Sequence, residues 1–251
     1  KGVNKKTANH FNQSIFIKSE VKLNLELVNE IYHTLLKHHD SLRISYHYDK
    51  DYAELIDYKS IEKKQDIIVI NCKKSEMWEY ATSEQKSMSL NEGNVFKIVV
   101  FKTEEGEFLL FILHHFTSDA VSLRILFDDF SNLYRNQNDA TSLPLKTVSV
   151  KEFAKAINEY KQNSSSQIDR MFWKENYITF NCENYTPCTF SESEKFELKL
   201  EKSVISELKN NLSKLNDIDM QDVLLLSFLE SYFKTYKKEQ HLSIDMEGHG
   251  R

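Results

Sequence analysis

Apolar positions in this chain follow two alternating spacings. Around Phe11-Asn12-Gln13-Ser14-Ile15-Phe16-Ile17, β-branched and aromatic residues predict a strand. Leu27, Val28, Ile31, Leu35 and Leu36 then fall at helical spacing, with Asn24 placed to cap the helix start and His38-His39-Asp40 near its end. Leu42, Ile44, Tyr46 and Tyr48 alternate with Arg43, Ser45 and His47, the period of a half-buried strand, and Ile67 to Ile70 predicts another short one. After a helix-compatible stretch from Ser75 to Ser87, residues 95–102 and 107–113 flank Thr103-Glu104-Glu105-Gly106 as a hairpin. Its second arm is apolar throughout, as a central strand covered on both faces would be.

Past Asp119 the helical period returns at Val121, Ile125, Leu126, Phe130, Leu133 and Tyr134, so His114-His115 falls between a strand and a helix. A further helix is expected from Ser149 to Tyr160. Asn163 to Ser166 interrupts it, and Ile168 to Tyr177 resumes the helical pattern with Phe172 and Trp173 as anchors. Beyond a boundary near 180, a strand is expected at Phe196, Leu198 and Leu200, helices at 204–215 and 221–236, and a short strand at 242–246.

Length and composition narrow the class. The 251 residues lie at the upper edge of one domain, so one large domain or two lobes is expected. Sixteen Phe, 12 Tyr and only 5 Gly argue for a packed interior, so the mean hydropathy of -0.53 reflects a Lys/Glu-rich surface. A net charge of -5 and a pI near 6.0 argue against nucleic acid as a partner. The longest apolar runs, such as 108–113 and 223–226, are too short to cross a membrane. Cys72, Cys182 and Cys188 are scattered, which fits reduced thiols in the cytoplasm rather than a disulfide or zinc framework. The lack of an initiator Met and the turn-like end at Arg251 read as a fragment.

Two constellations could carry chemistry: His114-His115-Phe116-Thr117-Ser118-Asp119 and Glu247-Gly248-His249-Gly250-Arg251. On spacing alone, two readings of the first stand level. One histidine projects into a cleft, or the pair simply points to opposite strand faces while Asp119 caps the next helix. Adjacent histidines do not aim easily at one metal, so none is expected there. There is no Gly-x-Ser-x-Gly elbow, and no cysteine has a strongly basic neighbourhood. General acid-base chemistry by a histidine and a carboxylate such as Glu247 remains, although a solvated turn is the stronger reading of Glu247 and His249 from the residues themselves.

The segment from His114 through Asp119 to Leu126 closely resembles the His-His-x-x-x-Asp-Gly core of nonribosomal peptide synthetase condensation and epimerization domains, and His38-His39-Asp40-Ser41-Leu42-Arg43 echoes the same superfamily. His10-Phe11-Asn12-Gln13-Ser14, Asp222-Val223-Leu224-Leu225 and above all Glu247-Gly248-His249-Gly250-Arg251 look more like the epimerization branch.

The resemblance implies an α/β (α+β) fold like that of chloramphenicol acetyltransferase, two lobes in a V with a tunnel between them. Residues 1–180 would form a nearly complete N-terminal lobe and 181–251 the start of a truncated C-terminal lobe. It implies inversion of the α-carbon of an aminoacyl or peptidyl thioester held on the 4'-phosphopantetheine arm of a carrier domain, with no cofactor bound directly. Partners would be a peptidyl carrier protein domain and neighbouring synthetase domains. His115 and Glu247 would be the catalytic pair, with His114, Asp119 and Arg43 supporting. The loop is expected to break the strand alternation after Leu113, turning His115 rather than His114 into the cleft. Ala120 stands where the pattern has Gly, which would restrict the backbone there. Two rivals share the loop: a condensation domain that joins two carrier-bound substrates, and a non-catalytic carrier-docking module.

Overall fold

Four of the expected strands assemble into one sheet, and its order explains why one of them is apolar on both faces. A computed structural model describes residues 8–62, 65–176, 192, 194, 197–214, 217–236, 242, 244 and 246, with the backbone alone for Ser164 and Ser165. The strands are β1 (Asn12–Lys18), β2 (Ile44–His47), β3 (Tyr52–Leu55), β4 (Ile68–Asn71), β5 (Phe96–Thr103) and β6 (Gly106–His114). The helices are α1 (Leu25–His38), α2 (Tyr58–Ile61), α3 (Met77–Lys86), α4 (Ala120–Arg135), α5 (Val150–Lys161), α6 (Ser164–Asn176), α7 (Lys202–Leu212) and α8 (Met220–Tyr236).

The main sheet runs β1-β6-β5-β4, antiparallel except for the parallel β4–β5 pair. β6 is therefore interior. Leu109, Phe111 and Leu113 face a core built with Leu27, Val28, Ile31 and Leu35 of α1 and Leu123, Leu126 and Phe130 of α4. The alternate residues Phe108, Leu110 and Ile112 pack with Met77 and Ala81 of α3. Each such side chain, fully buried, contributes about 1.5–3 kcal/mol before chain entropy is set against it. The β5–β6 hairpin closes at Thr103 opposite Gly106, whose φ of 121° lies where side chains are strained.

Local signals set the helix starts. The Asn24 side chain accepts from Leu27 N at α1, and Ser149 and Glu152 form a reciprocal capping box at α5. Three expectations differ. β3, absent from the hydrophobic pattern, pairs with β2 in a separate two-stranded sheet; its residues are exposed, so no alternation marks it. α6 begins at Ser164 rather than after the serines, since the Ser166 hydroxyl donates to the carbonyls of Lys161 and Asn163 and supports the first turn, and Phe172 and Trp173 are exposed rather than anchoring. Residues 197–200 form no strand, because alternation alone does not hold an extended segment without a partner to complete a ladder.

The chain divides into two compact units, Lys1–Arg170 and Met171–Arg251. The boundary expected near 180 and the expected strand at 242–246 lie wholly or partly outside the described residues, as do Cys182 and Cys188. Among the described residues, no helix is long and apolar enough to cross a membrane.

Candidate active site

At the end of β6 the ladder to β1 continues past its last pair. Asn12 lies opposite His114, and His115 N donates to the Phe11 carbonyl at 2.8 Å. The strand runs to His114 and the turn begins at His115, so the expected break in alternation after Leu113 comes one residue later, with the His115 N–H still bonded to Phe11. Adjacent residues on a strand point to opposite faces, and the two histidines meet different surroundings.

His114 is buried, 1% exposed. Its Nε2–H donates to the Ala8 carbonyl at 2.8 Å, and its Nδ1 accepts from Phe116 N at 3.0 Å. Both ring nitrogens are thus satisfied in the neutral tautomer. Burial, with help from the neighbouring His115, holds His114 below the usual histidine range. The His114 carbonyl organises the turn that follows, accepting from Thr117 N, the Thr117 hydroxyl and the Ser118 hydroxyl at 3.0, 3.1 and 3.0 Å.

His115 is half-buried. Its Nδ1–H donates to the Ser118 carbonyl at 2.8 Å, which fixes the tautomer and leaves the lone pair on Nε2. The Phe11 ring stacks on the imidazole with centroids 4.6 Å apart, and the Gln13 amide nitrogen lies 3.1 Å from Nε2. Gln13 lies on β1 and Phe11 immediately precedes the strand, so the β1–β6 pairing and the His115 N–H to Phe11 carbonyl bond bring both to the imidazole. The sequence had flagged both residues in a motif without giving either a contact. Only the β1–β6 register, linking positions 102 apart, reveals them.

Asp119 caps α4, its Oδ1 accepting from Ser122 N at 2.7 Å and from the Ser122 hydroxyl at 2.6 Å. Ala120 opens the helix without a positive φ, so the turn does not need the glycine of the family pattern. Arg43 is buried at the corner between α1 and β2. Its guanidinium donates to the carbonyls of Leu36 and Ile56 at 2.6 and 2.5 Å and pairs with Asp40 at 2.6 Å. Glu247, Gly248, His249, Gly250 and Arg251 lie outside the described residues. Burial, then Glu76 and Glu104, push the Cys72 thiol up, which weakens it as a nucleophile. The geometry gathers Phe11, Gln13 and the Ser118 carbonyl around the His115 ring, the carbonyl at Nδ1 and the amide at Nε2.

Comparison with known proteins gives this geometry a family. A family model described as Condensation domain matches residues 3–251. Bacitracin synthase 1 of Bacillus licheniformis is 29% identical over 261 residues, covering 99% of this chain and 5% of the synthase. Gramicidin S synthase 1 of Brevibacillus brevis is 26% identical over 263 residues, covering 96% of this chain and 23% of that protein. The chain thus spans a small part of the curated relatives it matches. Among solved structures, the epimerization domain from the third module of tyrocidine synthetase B is 25% identical with a TM-score of 0.58, over 70% of this chain and 42% of that one. The condensation domain from Monacolin K polyketide synthase shares the fold at 17% identity and a TM-score of 0.54, over 69% of this chain and 39% of that one. The mixed α/β fold is of the chloramphenicol acetyltransferase type, and the chain belongs to the condensation-domain family of nonribosomal peptide synthetases.

Proposed function

We propose that this chain is part of an epimerization domain that inverts the α-carbon of an aminoacyl or peptidyl thioester, from L to D, presented on the 4'-phosphopantetheine arm of a carrier domain. The observation that carries the reading is the fixed tautomer of His115: Nδ1–H is committed to the Ser118 carbonyl, which leaves Nε2 as the nitrogen that takes up or returns a proton. In the reaction the Cα–H bond breaks, the proton passes to one acid-base group, and the electron pair moves onto the thioester oxygen. A second group returns a proton to the opposite face, and exchange with solvent resets both. His115 is one of the two groups, and by motif likeness Glu247 is the other. His114, with both nitrogens engaged, shapes the turn, as Asp119 does through the cap of α4.

The likeness to the tyrocidine synthetase epimerization domain and the Glu247-Gly248-His249-Gly250-Arg251 motif favour this branch. The His-His loop itself serves equally a condensation domain, the second reading, in which His115 assists attack of an amine on the thioester. Solvent deuterium separates them. With the carrier loaded with L-substrate in the intact protein, the α-position is expected to incorporate deuterium and drift toward a D/L mixture. His115→Ala and Glu247→Gln should each slow this by about 10²-fold or more. Amide product with the α-proton retained would overturn the epimerase reading.

A further inference from the structure

We propose that Gln13 is a positioning residue for His115, its side-chain amide turning over with the proton state of Nε2. The proposal rests on the reading of His115 as an acid-base group and adds the partner that attends its reactive nitrogen.

The contact is built by the fold. Gln13 pairs with Leu113 in the β1–β6 register, and just past that register the His115 N–H bonds to the Phe11 carbonyl, which brings His115 beside Gln13. Its amide nitrogen lies 3.1 Å from His115 Nε2, while Nδ1 is held by the Ser118 carbonyl at 2.8 Å and the ring face by Phe11. The imidazole therefore meets Gln13 at the one ring nitrogen whose protonation changes during proton transfer.

Gln13 has a second property that a purely structural amide would lack. Its Oε1 is buried and has no hydrogen-bond partner among the described residues. Buried amides are ordinarily held in one orientation by partners at both ends. Among the described residues no second partner selects the orientation, so His115 selects it. With Nε2 unprotonated, the amide N–H donates to the lone pair. With a proton on Nε2, that N–H would face another N–H, and a half-turn about the terminal side-chain bond instead brings Oε1 into place to accept. No bond is made or broken in Gln13, and the proton stays on Nε2 until it is returned to carbon or to solvent. His114 and Asp119 are the titratable neighbours on the loop; burial keeps His114 toward the neutral form, and Asp119 Oδ1 is engaged by Ser122 at the cap of α4.

Hydrogen bonds to an ionised group are roughly twice as strong as neutral ones. The test titrates His115 in the intact protein without substrate, by the pH dependence of diethyl pyrocarbonate modification, with His115 resolved from His114 by peptide fragmentation. Gln13→Met keeps the apolar volume but neither donates nor accepts at Nε2, and is expected to lower the midpoint by about half a pH unit or more. Gln13→Glu, of the same shape, is expected to raise it by about one unit. A Gln13→Met midpoint equal to wild type would assign Gln13 to packing and overturn the proposal, as would a Gln13→Glu midpoint that fails to rise. Since no substrate is present, this result is independent of the reaction: amide formation without α-exchange would overturn the epimerase reading alone, and unshifted midpoints would overturn the Gln13 role alone.

Discussion

Phe11 and His115 are joined twice, by a backbone hydrogen bond of 2.8 Å from His115 N to the Phe11 carbonyl and by ring stacking with only 18° between the planes. The backbone bond sets the strand register, and the register in turn places the aromatic ring against one face of the imidazole. Phe11 is itself 60% exposed, so it serves as a fixed wall for His115 rather than as a core residue.

Removing that wall should loosen the imidazole. On the proposed epimerase reading, Phe11→Ala in the intact protein is expected to slow α-proton exchange by about threefold to tenfold, the range set by an aromatic pair of ~0.5–1.5 kcal/mol. Phe11→Tyr should retain near-normal rates. Initial rates at saturating carrier substrate check both variants.

His114 should matter for stability. Its ring satisfies the Ala8 carbonyl and the Phe116 N–H, and a shorter polar side chain cannot reach both. His114→Ser is expected to lower the unfolding free energy by about 1–3 kcal/mol for the unsatisfied buried groups. A urea titration with an unchanged slope and a lower midpoint is the expected signature.

The same histidine predicts a pH dependence of stability. Burial keeps His114 neutral below its ordinary value of 6.5, and His38 is lowered in the same way by burial and by His39. Between the lowered folded value and 6.5, the unfolded chain binds more protons than the folded one, so stability is present above 6.5 and lost as pH falls through that window. Thermal unfolding is therefore expected at lower temperature near pH ~5.5 than near pH ~7, with a smaller decline in His114→Ser. An equal decline in the variant would assign the effect to other groups.

Much of the scaffold was legible because local chemistry and global packing agree along it. Asn24 and Ser149 cap helices whose starts the sequence marked, and the apolar run 108–113 became the doubly covered β6. β3 was not legible, since its four residues are exposed and pair only with β2, and the alternation at 197–200 led to no strand. For the site, the sequence brought His114, His115 and Asp119 to one loop, and geometry divided their environments. Phe11 and Gln13 reach that loop only through a cross-strand register, which no local pattern encodes. Arg43, grouped with the loop by motif likeness, forms its hydrogen bonds at the α1–β2 corner.

The pairing of the edge strand β1 with β6 also imposes an order of assembly during synthesis. The ribosome makes Ala8, Phe11 and Gln13 long before His114 and His115, and at about 5–20 residues per second β1 waits several seconds for its partner to emerge. Until then β1 lacks the neighbour that completes its ladder, and the His115 imidazole lacks its contacts with the Phe11 ring and the Gln13 amide. The His115 imidazole thus meets Gln13 only after a contact spanning 102 residues has closed, which makes formation of this candidate site a late event in the folding of this unit.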